Sequence, residues 1–281
     1  MKIDFSKKGL IIIFLILFFS LILVQKVNNK FVSFVNHKST AIPSPTLVLI
    51  DDNHEYKIPI LVYHYVEYVK DTKDTIRQSL NISPLIFEDQ IKTLINNGYE
   101  IILVKDAADI LDGKKEFREK MVAITFDDGY KDFYTDVFPI LKKYHVKATV
   151  YIISGFIGLP NFMDEGQLRE ISQSTLVELG SHTVNHVNLN YENEKVIISQ
   201  LLESKAKLEE ITGGEVSDFA YPFGGYNKLS KNLVFKCGYK SAVTTSMGNI
   251  QTVKNIYSMS RIRPGNKTGI FLLKWIEDGK Y

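Results

Sequence analysis

From residue 58 onward, short apolar runs alternate with stretches of helical spacing. Ile58-Pro59-Ile60-Leu61-Val62-Tyr63 is apolar throughout and predicts a buried strand ending at His64. Ser83-Pro84 then combines a capping serine with proline at the first helical position. Apolar Leu85, Ile86, Ile91, Leu94 and Ile95 follow at helical spacing, and Asn97-Gly98 ends the run. Further strands are predicted at Glu100 to Val104, Met121 to Phe126, Ala148 to Ile153, Leu176 to Ser181, Ser217 to Ala220, Ser241 to Thr244 and Tyr257 to Ile262. Helices are predicted at Asp106 to Leu111, Thr135 to Tyr144, Asp164 to Ser172, Glu194 to Thr212, Ser230 to Cys237 and Thr268 to Ile276. Strands that alternate with helices pair in parallel. About seven such units fit an α/β fold of the distorted (β/α) barrel kind better than an open sheet.

The N-terminus has a different pattern. Lys2, Lys7 and Lys8 precede an apolar run from Gly9 to Val24, followed by Gln25 and Lys26. A basic flank before an apolar stretch marks a signal anchor or signal peptide. The run is close to the ~17-residue lower limit for spanning a bilayer. Val24-Gln25-Lys26-Val27-Asn28 is a poor cleavage site, so an uncleaved transmembrane helix is expected, with secretion after cleavage as the alternative. The expected layout is residues 1–27 as anchor or signal, 28–57 as an extracytoplasmic tether containing Pro43-Ser44-Pro45, and 58–281 as the functional domain. The membrane is thus one expected partner.

Composition narrows the classes. Hydrophobic residues make up 45% of the 281-residue chain and aromatics 12%, enough for a real core. A formal net charge of +2 gives no reason to expect nucleic acid as a partner. Cys237 is the sole cysteine, which excludes an intramolecular disulfide and any Cys-rich metal motif.

The reactive residue types fall just after predicted strands. His64 follows the first, Asp127-Asp128-Gly129 a later one, and His182-Thr183-Val184-Asn185-His186 another. In a parallel barrel these ends share one face, where active sites are built. Adjacent carboxylates after an apolar strand are unfavourable unless something positive neutralises them. An Asp-Gly turn with solvated acids is an equally good reading of Asp127-Asp128-Gly129 alone. Two histidines four apart can share a helix face and aim at one ion. With one carboxylate they form a set that leaves positions open for water and substrate.

Thr125-Phe126-Asp127-Asp128-Gly129, His182 to His186 and Tyr221-Pro222-Phe223-Gly224 occur in that order. Together they resemble the polysaccharide deacetylases with a NodB-type homology domain, carbohydrate esterase family four. The resemblance covers roughly Ile58 to Ile262. Pro59 to His64 and Phe87 to Tyr99 are closest in pattern to the biofilm poly-N-acetylglucosamine deacetylases. It implies a metal-dependent hydrolase that removes N-acetyl groups from an extracellular or cell-wall polysaccharide containing N-acetylglucosamine. Asp128, His182 and His186 are implied as ligands of one divalent ion. Zinc is expected first, with cobalt, nickel, manganese or iron as alternatives. The implied reaction is attack of metal-bound water on the acetamide, with Asp127 as base and the Phe223 backbone N–H on the oxyanion.

Two positions depart from the family pattern. Many members have arginine where this chain has Tyr221, so Arg261 or Arg263 is the candidate to orient the base. No histidine follows His186, so His64 becomes the candidate acid, as in the biofilm branch. Tyr221, Pro222 and Tyr130 are candidate substrate contacts, and Phe156, Phe162 and Tyr226 could stack on sugar rings or simply pack. The competing readings are a metal-containing glycan-binding protein without activity, an O-acetyl polysaccharide esterase, a peptidoglycan deacetylase and a structural cell-wall anchor.

Overall fold

The computed structural model describes residues 54–69 and 73–279. The expected anchor and most of the expected tether lie outside the described residues. Among the described residues, no helix is long and apolar enough to cross a membrane.

The strands are β1 (Tyr56–Lys57), β2 (Ile60–Tyr63), β3 (Tyr65–Val66), β4 (Asn81–Ile82), β5 (Glu100–Ile102), β6 (Met121–Phe126), β7 (Ala148–Ile152), β8 (Val177–Ser181), β9 (Asp218–Ala220), β10 (Ser241–Met247), β11 (Ile250–Gln251) and β12 (Met259–Arg261). The helices are α1 (Thr75–Leu80), α2 (Pro84–Asn96), α3 (Val104–Leu111), α4 (Phe138–Tyr144), α5 (Glu165–Ser172), α6 (Glu194–Thr212), α7 (Lys228–Lys236) and α8 (Gly269–Asp278). Seven parallel strands run β2-β6-β7-β8-β9-β10-β12, and β5 adds to the first half of β6. A parallel bridge between Leu61 and Ile262 brings the two ends together. There the Val62 N–H donates to the Ile262 carbonyl at 2.9 Å, and the Ile262 N–H donates to the Ile60 carbonyl at 2.8 Å. The result is the expected near-closed (β/α) barrel.

Both faces of each barrel strand are buried, which is why the strands read as continuous apolar runs. The two-residue period then sorts them. Leu61, Val122, Ile124, Val150 and Leu179 face outward and join the core beneath the helices. Ile60, Met121, Ala123, Tyr151, Ala220, Val243 and Met259 form a second apolar cluster together with α3. Gly180 makes room within it: a Cβ there would meet the Tyr151 ring at 2.4 Å. The same alternation, Ala123-Thr125-Asp127, carries Asp127 inward past the end of β6.

Some expectations shift. Tyr56–Lys57, expected at the end of the tether, pair antiparallel with Ile250–Gln251. The helix expected from Thr135 begins as a π-helical turn, Phe133–Val137, before α4. The β3–β4 pair and α1 were not anticipated, because two-residue strands carry no readable period.

The end of the barrel away from the strand C-termini holds two further carboxyls. Glu178 is the second residue of β8 and Asp218 the first of β9. Burial, reinforced by the Asp218 charge, pushes the Glu178 pKa up to about 8 despite Lys105 at 3.2 Å. Burial likewise pushes Asp218 up to about 6. Both folded values exceed the unfolded ones, so the folded chain binds extra protons between about pH 4 and 8. Their stabilising contribution is complete below that window and is lost as pH rises through it. The contribution is read as a difference: from pH 5 to 8 wild type is expected to lose thermal stability relative to Glu178→Gln. Parallel profiles for the two proteins would contradict this.

Candidate active site

The carboxyl ends of β2, β6, β8, β9 and β12 surround the site. Asp127 is 3% exposed and Arg261 is 1% exposed. Arg261 Nη1 donates to Asp127 Oδ1 at 2.7 Å, and Nη2 donates to Oδ2 at 2.7 Å. This is a bidentate fork, the strongest geometry for an arginine–carboxylate pair. Two further donors are also engaged: Nη1 reaches Thr125 Oγ1 at 3.1 Å and Nε reaches the Thr244 carbonyl at 2.7 Å. Arg263 is exposed, so of the two arginines considered it is Arg261 that holds the carboxylate. Burial alone would raise the Asp127 pKa. The Arg261 charge and its hydrogen bonds outweigh burial and hold the carboxyl well below the usual range.

Asp128 turns away from Asp127 through a left-handed backbone, φ 74°. Its Oδ1 lies 3.4 Å from His182 Nε2 and 3.3 Å from His186 Nε2. One ligand atom from each of the three residues falls within 4.8 Å of the others. His182 Nδ1 lies 2.7 Å from the Ala220 carbonyl, which can only accept, so Nδ1 carries the proton. Nε2 of the neutral ring therefore presents a lone pair toward Asp128. Asp128 Oδ1 is buried without a hydrogen-bond donor. A carboxylate oxygen facing ring lone pairs calls for a cation between them, and a divalent ion fits this donor set.

Burial would raise Asp128, but the contact with His182 brings it below the usual carboxylate range. Burial would lower His182, but Asp128 raises it. Burial, followed by the neighbouring His182, pushes His186 down to about 4, so its imidazole is neutral at pH 7. Metal ligation requires that neutral form.

The histidine pair does not share a helix face, contrary to expectation. Residues 182–186 form a loop in which Thr183 (φ 66°) and His186 (φ 55°) are left-handed, and a helix cannot hold such residues. His64 follows Ile60 and Val62 on the inward phase of β2. Burial lowers its pKa, Asp127 and Asp128 pull it up, and Arg261 and Arg263 push it down, with a net lowering. Phe223 has φ 58° and an exposed ring whose centroid is 4.5 Å from that of His186.

Tyr221 and Pro222 are not available to substrate. Tyr221 is fully buried, packs against Phe219 and Tyr226, and donates its hydroxyl to the Tyr257 carbonyl at 3.1 Å. It follows inward Ala220 and so takes the outward phase, under the helices. Pro222 is buried in the adjoining turn. Tyr130 is half-buried with Asp128 as an electrostatic neighbour. It begins an aromatic row: Tyr65 stacks on Tyr130 at 3.9 Å, Phe162 lies 5.0 Å from Tyr130, and Phe156 lies 5.2 Å from Phe162. Sequence reasoning missed Tyr65, which sits on a two-residue strand, and Gln200, which sits within α6.

A family profile described as polysaccharide deacetylase matches residues 114–242. The YxkH protein of Bacillus subtilis (strain 168), named for polysaccharide deacetylase, is 34% identical over 217 residues, covering 76% of this chain and 75% of that protein. The poly-beta-1,6-N-acetyl-D-glucosamine N-deacetylase of Staphylococcus aureus (strain MRSA252) is 27% identical over 222 residues, covering 74% of this chain and 76% of the relative. Among solved structures, Streptococcus pyogenes deacetylase PplD, in complex with acetate, superposes with a TM-score of 0.73 at 31% identity. That alignment covers 79% of this chain and 98% of PplD. The chain belongs to the polysaccharide deacetylase family, hydrolases that act on acetyl amide groups of carbohydrate.

Removing one member of the buried pair exposes its energetics. Arg261→Met leaves the Asp127 carboxylate buried and unpaired and is expected to cost about 3–5 kcal/mol. Adding Asp127→Asn should recover most of that loss. Denaturant unfolding of both single variants and the double variant measures the coupling, and strictly additive losses would contradict the pairing.

Proposed function

We propose that this protein is a metal-dependent deacetylase acting on a polymer of N-acetylglucosamine outside the cell. The observation that carries the reading is the convergence of Asp128, His182 and His186 beside an arginine-clamped Asp127. The Staphylococcus aureus relatives, named for poly-beta-1,6-N-acetyl-D-glucosamine, support the choice of glycan. The basic and then apolar segment from Lys2 to Val24 supports a membrane-held domain facing outward, with the chain from residue 28 up to the strand at Tyr56 as its tether.

Asp128, His182 and His186 hold the ion, with zinc the first expectation for two imidazoles and a carboxylate. When bound, a divalent ion supplies Lewis acidity that polarises the acetamide carbonyl and acidifies the attacking water. Asp127 accepts the proton of that water. Arg261 keeps Asp127 ionised and fixes its direction at the expense of basicity. The Phe223 N–H donates to the developing oxyanion. A C–O bond forms, the C–N bond breaks, and His64 passes a proton to the departing nitrogen. Its lowered pKa makes protonated His64 a stronger donor than an ordinary imidazolium. The products are acetate and a free glucosamine amine. Tyr130 borders the site and is assigned to the sugar face.

Acetate release from N-acetylated glucosamine oligomers tests the reading. Asp127→Asn should lower turnover by at least about 10²-fold. Chelation should abolish it, and added zinc should restore it. Equal and negligible release by wild type and variant across glycans and metals would support the non-catalytic binder instead. Release from acetylated xylan alone would support the O-acetyl esterase.

A further inference from the structure

The loop carrying both histidines is held by a residue that lies outside every motif. Gln200 is on α6 and is 8% exposed. Its Oε1 accepts the backbone N–H of Val184 at 3.0 Å and that of Asn185 at 3.0 Å. These two amides lie midway between His182 and His186. The carbonyls of the same loop are taken from the other side. The Ser154 N–H donates to the Thr183 carbonyl at 3.1 Å, and the Gly155 N–H donates to the Val184 carbonyl at 2.9 Å. Gly155 leaves no space for adjustment, since a Cβ there would meet the Val184 oxygen at 2.5 Å.

Left-handed backbone is costly for a β-branched residue such as Thr183 and persists only where its surroundings over-determine it. In this loop the carbonyl side is fixed by backbone and the amide side by one side-chain oxygen. One turn further along α6, Ser204 Oγ pairs with Ser181 Oγ at 2.8 Å, immediately before His182. The helix therefore grips the chain on both sides of His182.

We propose that Gln200 is a positioning residue that sets the affinity of the Asp128–His182–His186 site for its ion. The assignment rests on the metal reading given above. Without the Gln200 acceptor, two amides of a constrained loop lose their partner and its left-handed turns lose a restraint. His186 is then released from its distance to Asp128. The acceptor oxygen is the required feature, so a carboxylate can replace the amide.

Competition between the purified protein and a chromogenic chelator, with zinc as the probe, reads the affinity directly. Gln200→Leu should weaken zinc binding by about 10- to 100-fold, the usual effect of losing a group that orients metal ligands. Gln200→Glu should stay within a few-fold of wild type. Ser199→Ala removes a hydrogen bond from the Ser199 hydroxyl to Glu203 on the exposed side of the same helix and should leave zinc affinity unchanged. Hydrogen exchange in the metal-free proteins should show the Val184 and Asn185 amides protected in wild type and released in Gln200→Leu. If Gln200→Leu does not fold, Gln200→Asn, one methylene short of the amides, carries the same comparison. Equal zinc affinity in wild type and Gln200→Leu overturns this proposal alone, as does an equal loss in Ser199→Ala. Absence of zinc uptake by wild type overturns the metal reading, and this assignment with it.

Discussion

The structure turns on the buried fork between Arg261 and Asp127. Arg261 is on β12 and Asp127 follows β6, so the pair spans the barrel between strands that do not adjoin. A carboxylate this deeply buried is tolerable only with a full partner, and a deeply buried arginine likewise needs acceptors. Thr125, Thr244 and the two Asp127 oxygens take four of its five N–H donors. The same pairing fixes what Asp127 can do: it remains ionised and faces one direction. This chain draws its arginine from β12 and leaves Tyr221, beside the Pro-Phe-Gly turn, to the core.

Asp128 and Asp127 are neighbours in sequence with opposite surroundings. A left-handed turn at Asp128 separates them, directing one carboxylate to a guanidinium and the other to two imidazoles. Of the seven non-glycine residues with positive φ among those described, Asp128, Thr183, His186 and Phe223 belong to this site. Strain gathers where side chains must converge from separate strands, and the barrel stabilises it through fixed backbone partners. His182 illustrates this: its Nδ1 proton goes to the Ala220 carbonyl on the adjacent strand, which leaves Nε2 facing Asp128.

Much of this was legible in the sequence because two-residue periodicity is a local property. Alternation across Met121 to Asp127 shows that Asp127 faces inward, and Ile60-Val62-His64 does the same for His64. The ends of α2 were legible because Ser83-Pro84 and Asn97-Gly98 mark them. Arg261 and Arg263 share the phase of inward Met259, so alternation does not choose between them: Arg261 ends β12 and is buried, whereas Arg263 lies beyond the strand and is exposed. Tyr221 was misassigned because its place beside the Pro-Phe-Gly turn outweighed its outward phase after Ala220. Gln200 had no signal, since an amide on an amphipathic helix looks like any half-polar face until the loop above it is placed. The row from Tyr65 to Phe156 depends on β3, whose two residues carry no pattern.

The central claim is that Asp128, His182 and His186 form one metal site served by Asp127. Zinc stoichiometry combined with X-ray absorption at the zinc edge tests it most directly. The account predicts one zinc per chain with two imidazole nitrogens and at least one carboxylate oxygen, lost in Asp128→Ala and in His182→Ala and retained in Asp127→Asn. Zinc that binds equally well to the Asp128 and His182 variants, or a first shell without imidazole, would contradict it.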